Sequence, residues 1–318
     1  LIKEYLLDNN HKSIISLVPE YGLEKEKEQK EADKLAEYKS TLTNDELEEL
    51  VKKTKELKEY QDTPSSQEDL EKIPMLELSD IKREPAKDYN DVKSVDGIKI
   101  VHHNIFTNKI AYINMSFDTK CVPDELIPYM GLLGSTLSLM DTKNYTYPEL
   151  TNEININCGG LATGTALYSD KVDFSKNTIV YEVKSKALYE KVPFVLGMME
   201  EIMYNTRFDD YKRLKEIIAR IKSRLEASLM GQGHSIAMLE CCAQFSESAY
   251  YSDILRGYKY YEFIKKLDEE FEQNKTQIVD KLNKLVGYIF NKDNVIVSLT
   301  ADDEGYDCFV KALSAKSC

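Results

Sequence analysis

The sequence predicts an α+β domain: an antiparallel-rich sheet with helices packed on one face, preceded by a long helical hairpin. Three observations predict it. Residues 118–168 run as strand end, apolar helix, short second helix, Gly-Gly turn and new strand. Strand-like runs cluster ahead of residue 185, whereas helical patterns dominate after it. Residues 24–40 are nearly all strong helix formers, and a capping box follows them.

Taken in order, residues 1–9 have helical character, and residues 13–18 (SIISLV) read as a strand closed by Pro19. A lone strand is not stable in water, so it is expected to be the tail of a preceding domain. The similar S-L ending of Val295-Ile296-Val297-Ser298-Leu299 suggests two copies of one domain type. Residues 20–63 form the hairpin: Thr43 caps the second helix, Glu46 reaches back, and Leu42 meets Leu47 as a hydrophobic staple. In that helix Leu47, Leu50, Val51, Thr54 and Leu57 share a face, while the charges of residues 24–34 form a solvated surface. Turn and linker residues follow from Thr63 to Pro85, with residues 73–81 extended.

Residues 98–102 and 110–117 read as antiparallel strands joined near Thr107-Asn108. The next helix, from Leu126 to Met140, has almost no polar side and must be buried against a sheet. Pro148 and Glu149 suit the first turn of the second helix, and Gly159-Gly160 stops it, because only glycine takes a left-handed conformation cheaply. Strands are expected at 161–168 and 178–184. Helices follow at 188–204, 209–230, 235–246, 254–267 and 271–290, with a break at Gly231-Gln232-Gly233. A strand at 295–299 and a helix at 306–313 close the domain.

With 318 residues, 42% hydrophobic and 31% charged, the chain has an ordinary globular balance and no apolar run that could span a bilayer, so no membrane role is expected. A net charge of −13 argues against a nucleic-acid partner. The six cysteines show neither C-x-x-C nor a disulfide framework, which predicts a reducing compartment: bacterial cytoplasm, or an organelle matrix in a eukaryote. No signal-peptide pattern opens the sequence, which begins at Leu1 and is read as a fragment.

No residue is assigned a catalytic, metal or substrate-binding role. His11, His102, His103 and His234 lie in no zinc spacing, and adjacent His102 and His103 on a strand point to opposite faces. Cys241 and Cys242 read as small core residues, and Gly231-Gln232-Gly233 as a helix break rather than a phosphate loop. The tyrosines at 250, 251, 258, 260 and 261 could line a peptide wall, but helix packing is the better reading.

Three segments, YLLDNNHKSIISLVPE, SLTNDELEELVKKTKELKEYQDTP and EDLEKIPMLELSDIKRE, resemble the middle of the presequence-protease branch of the insulinase and pitrilysin peptidases. FDTKCVPDELIPYMGLLGSTLSLMDTKNYTYPELTNEININCGG is similar to the strand, helix and Gly-Gly pattern repeated in each domain of that superfamily. The ordered succession covers nearly the whole chain.

The resemblance implies a zinc metallopeptidase of four related α+β domains, whose halves are joined by the hairpin and close over an unstructured peptide. Residues 1–19 would end the second domain, 20–90 form the hairpin and linker, and 91–318 form a non-catalytic third domain. Zinc would sit in the first domain, at an H-x-x-E-H motif that is absent between Leu1 and Cys318, so this chain is expected to hold no metal and to be inactive alone. Its partners would be the catalytic half of the same polypeptide and the peptide substrate, with the chain acting as hinge hairpin and half of the lid. The strand after Gly160, similar in position to a substrate-pairing strand of the catalytic domain, is read here as structural. Two other readings stay open: a structural or partner subunit of the same superfamily without activity, and a helical-hairpin interaction module.

Overall fold

The computed structural model describes residues 2–11, 13, 15, 16, 18, 20–84, 90–173 and 176–315. It divides into two units, Leu1–Pro85 and Ala86–Cys318.

In the first unit, Ile2–Leu7 is a π-helical turn, followed by α1 (Leu23–Thr41), α2 (Asn44–Asp62) and α3 (Gln67–Glu71). The capping box forms: the Thr43 N–H donates to Glu46 Oε2 at 2.8 Å, and the Glu46 N–H donates to Thr43 Oγ1 at 3.3 Å. Leu42 and Leu47 are half-buried between exposed neighbours, as a staple requires. Packing of α1 and α2 as a hairpin is not seen. Neither helix buries a residue, and α1 carries no apolar stripe, so it has little to dock with. The strand expected at 13–18 is likewise not seen at Ser13, Ile15, Ser16 or Val18; Ile14, Leu17 and Pro19 lie outside the described residues.

The second unit is built on six strands: β1 (Asp91–Val95), β2 (Ile98–Asn104), β3 (Ile110–Asp118), β4 (Leu161–Ser169), β5 (Asn177–Leu188) and β6 (Val295–Ala301). Their spatial order is β1-β2-β6-β3-β5-β4. The sheet is mixed: four of its five pairings are antiparallel, as expected, and one, β2 with β6, is parallel. β6 returns from the far end of the chain to lie parallel to β2 and antiparallel to β3. β2 and β3, adjacent in sequence, are therefore not neighbours. Burial accounts for the insertion: Val297, Leu299 and Ala301 are all inaccessible, so β6 belongs at the centre of the sheet. β1 pairs with β2 through an Asp96-Gly97 turn in which both residues have positive φ (51° and 83°), a two-residue hairpin.

Alternation along the strands gives the sheet two different faces. Ile100, Ile113, Met115, Phe117, Tyr181, Val183 and Leu299 point into the core. That face is covered by helices. α4 (Ile127–Thr136) carries Met130, Leu132 and Leu133, and α5 (Tyr147–Asn157) follows from a Thr146–Glu149 capping box. α6 (Val192–Asn205), α7 (Tyr211–Gly231), α8 (Gly233–Cys242), α9 (Glu247–Arg256), α10 (Tyr258–Glu269) and α11 (Phe271–Ile289) follow, and α12 (Asp303–Ser314) ends the unit. The α7–α8 break falls at Gly231-Gln232-Gly233 as expected. The helix expected at 254–267 is instead two helices parted at Gly257, where a Cβ would strike Asp253. Gly160, at φ 104°, turns the chain from α5 into β4.

Candidate functional site

The second face of the sheet carries polar side chains and is the candidate site. Tyr112, Asn114 and Ser116 of β3, Glu182, Lys184 and Lys186 of β5, and Ser298 and Thr300 of β6 share it, because they sit in register across the ladders. Tyr112, Lys184 and Lys186 are exposed. A groove of about 430 Å³ opens here, bounded by Tyr112, Asn114, Gly160, Lys184, Lys186 and Thr300.

At its side, Glu182 is 5% exposed and fully engaged. Oε1 accepts from Asn114 Nδ2 (2.9 Å) and from the Tyr168 hydroxyl (2.9 Å), and Oε2 pairs with Lys184 Nζ at 2.6 Å. Burial works against ionisation, but the bonds from Lys184, Asn114 and Tyr168 outweigh it and hold the carboxyl below its usual range. The arrangement is a fixed carboxylate with its charge neutralised, suited to holding Lys184 in place rather than to moving a proton.

A second cavity, of about 630 Å³, lies on the helical side of the edge strand β4, between Thr163-Gly164-Thr165 and helices α4, α7 and α9. Gly134 lets α4 approach β4 closely: a Cβ there would stand 3.1 Å from Gly164 Cα. Thr163 Oγ1 donates to the Gly134 carbonyl at 3.0 Å.

The histidines are not brought together. His102 is buried on the core face; its Nε2 donates to the Ala301 carbonyl at 2.9 Å, which leaves Nδ1 to accept from Lys93 Nζ at 3.3 Å. His103 points to the opposite face, beside Ser298 Oγ at 3.0 Å, as strand alternation requires. His11 and His234 are exposed. Cys241 is exposed and Cys242 half-buried, so the pair is less buried than core residues would be, and both are free thiols. Among the described residues, no group of three or more His, Cys, Asp or Glu side chains could hold a metal ion. Nor is any described helix long and apolar enough to cross a membrane.

Glu182, Lys184 and the arginines of the second cavity were not singled out by sequence reasoning. A signal existed for Glu182: a carboxylate at an alternating position of a buried strand demands partners. The tyrosine cluster splits as packing dictates, with Tyr260 buried and Tyr250 and Tyr258 exposed.

Residues 17–267 match the family described as Peptidase M16-C associated. Protein HypA of Clostridium perfringens is 37% identical over all of this chain and 33% of its own length. Presequence protease 1, chloroplastic/mitochondrial, of Arabidopsis thaliana is 29% identical over 95% of the chain and 28% of its own length. The chain thus spans about a third of the length of these curated relatives. A crystal structure of a conserved protein from Enterococcus faecalis V583 superposes with a TM-score of 0.52 at 12% identity, over 71% of this chain and 51% of that one, a likeness of fold. A match over most of the chain, with presequence proteases among its relatives, means that the chain belongs to the peptidase M16-C associated family.

Proposed function

We propose that the chain is a non-catalytic segment of a zinc-dependent peptidase that degrades unstructured peptides. It would supply the hinge and half of the lid over the substrate chamber. In this reading residues 1–19 end a preceding domain, 20–90 link the halves and 91–318 form the lid domain. The observation that carries it is the uncovered sheet face. Its tyrosine and its exposed lysines, one of them held in place by the buried Glu182, offer hydrogen bonds to an extended chain, as a chamber wall would. Relatives named presequence protease support a peptide as the substrate. Among the described residues no donor set converges that would fit zinc; in this reading the metal belongs to the catalytic half of the same polypeptide. The compartment follows the parent protein: cytoplasm in a bacterium, organelle matrix in a eukaryote.

The test is zinc content by atomic absorption together with cleavage of an unstructured fluorogenic peptide, on this chain and on one extended in both directions. A metal-free, inert chain and a zinc-bearing, active extended protein are expected. Cleavage by the chain alone would overturn the reading. An extended protein that binds no zinc and cuts nothing would favour the structural-subunit alternative.

A further inference from the structure

We infer that the cavity between β4 and helices α4, α7 and α9 is a carboxylate-binding site for a peptide. The inference rests on the peptide-substrate reading above and names a subsite for it. The wall carries three guanidinium groups, Arg220 and Arg224 from successive turns of α7 and Arg256 from the end of α9. It carries no Asp or Glu, in a protein whose net charge is −13. Among the described residues, none of these three arginines is in an ion pair, whereas Arg207 and Arg213 each have an acidic partner. Arg256 spends one N–H on Ser252 Oγ at 3.3 Å and keeps the rest of its fork.

A second, independent feature points the same way. Tyr260, 4% exposed, forms part of the wall, and its hydroxyl is buried with no hydrogen-bond partner. A buried O–H left unsatisfied is costly, and a ligand acceptor would satisfy it. Burial pushes the phenol pKa up, and the Arg224 charge opposes that rise, which places the guanidinium within electrostatic reach of the ring. Tyr260 has little freedom to turn away, because its ring fills the space that a Cβ at Gly131 would need, at 2.8 Å. Planar forks beside a fixed O–H donor suit the two oxygens of a carboxylate. On a peptide these belong either to the C-terminus or to an acidic side chain.

The experiment measures fluorescence anisotropy of labelled unstructured peptides on the purified 318-residue chain. Three probes separate the sources: a free-acid peptide without Asp or Glu, its C-terminal amide, and that amide with one internal Glu. The free acid is expected to bind at least about tenfold more tightly than the plain amide. Internal Glu restores binding if a side chain can serve. Arg220→Gln with Arg224→Gln should abolish the preference without moving Tm, because both side chains are exposed. Tyr260→Phe gives opposite signs: Tm rises as the orphaned hydroxyl disappears, and free-acid binding falls by about threefold or more. Equal affinity for all three peptides, an unaffected arginine variant, or no binding at all would overturn the site. None of these would touch the peptidase-segment reading, which stands or falls on cleavage by the extended protein.

Discussion

Glu182 and Glu240 respond to pH in opposite directions. Glu182 has its pKa lowered in the fold. Its contribution to stability is therefore present above the unfolded value near 4.5, and it is lost as pH falls through the depressed folded value. Glu182→Ala would leave the part-buried Asn114 Nδ2 without its partner, at a cost of about 1–3 kcal/mol, with the exposed Tyr168 free to bond water and the half-exposed Lys184 pair adding little. Thermal unfolding of both proteins from neutral pH down to about pH 3 should show the difference shrinking with acidity. Glu240 behaves in reverse. Its Oε2 is buried without a donor beside Asp253, itself inaccessible and held by Lys259 Nζ at 3.2 Å, and the same Nζ stands 3.8 Å from Glu240 Oε1. A protonated Glu240 can donate to Asp253, and that bond, with burial and the Asp253 charge, raises the Glu240 pKa against the opposing Lys259 charge. Stability from this pair is present at low pH and declines as pH rises above the ordinary carboxylate value. Glu240→Gln, which keeps a donor at every pH, should flatten that decline and leave the variant with the higher Tm at neutral pH. A variant with the same pH slope as the parent protein would show that no proton is shared.

At the scale of the element, α4 and β4 meet backbone to backbone. Gly134→Ala places a Cβ 3.1 Å from Gly164 Cα and 3.3 Å from the Thr163 carbonyl, and neither atom belongs to a flexible side chain. The helix must lift, at a cost of about 1–3 kcal/mol by denaturant titration; a neutral result would mean that the helix slides freely. The N-cap of α2 is a milder case: Thr43→Ala should cost about 0.5–2 kcal/mol of local helix stability, read by amide exchange in the first turn. These elements also show what sequence could and could not reveal. The cap at Thr43, the stop at Gly160 and the break near Gly231-Gln232-Gly233 were legible, because each rests on local chemistry. The Asp96-Gly97 hairpin was equally local and was missed, although Asp-Gly before an alternating strand announces it. The insertion of β6 between β2 and β3 was not legible, since it depends on how six strands compete for the centre of the sheet. Nor was the arginine cavity. Arg220 and Arg224 sit one turn apart like many solvated helix pairs, and only folding brings Arg256 and Tyr260 to face them.

At the scale of the molecule, stability and length are unevenly shared. Every buried hydrophobic residue among those described lies at or after Ile98, whereas α1, α2 and α3 bury none. Hydrophobic burial is the dominant favourable contribution to folding, so residues 86–318 should hold nearly all of the cooperative stability. A protein starting at residue 86 is therefore expected to unfold in one transition at a Tm within a few degrees of the 318-residue chain. The isolated segment 1–85 should give a helical far-UV spectrum that melts gradually, because helices without a packed face depend on propensity and capping alone. A large loss of Tm on removing residues 1–85 would mean that exposed residues such as Leu35, Leu50 and Val51 are covered in solution by the second unit. A hinge would then be the wrong description of that segment, because a linker that moves between two halves cannot also be part of the core of one of them.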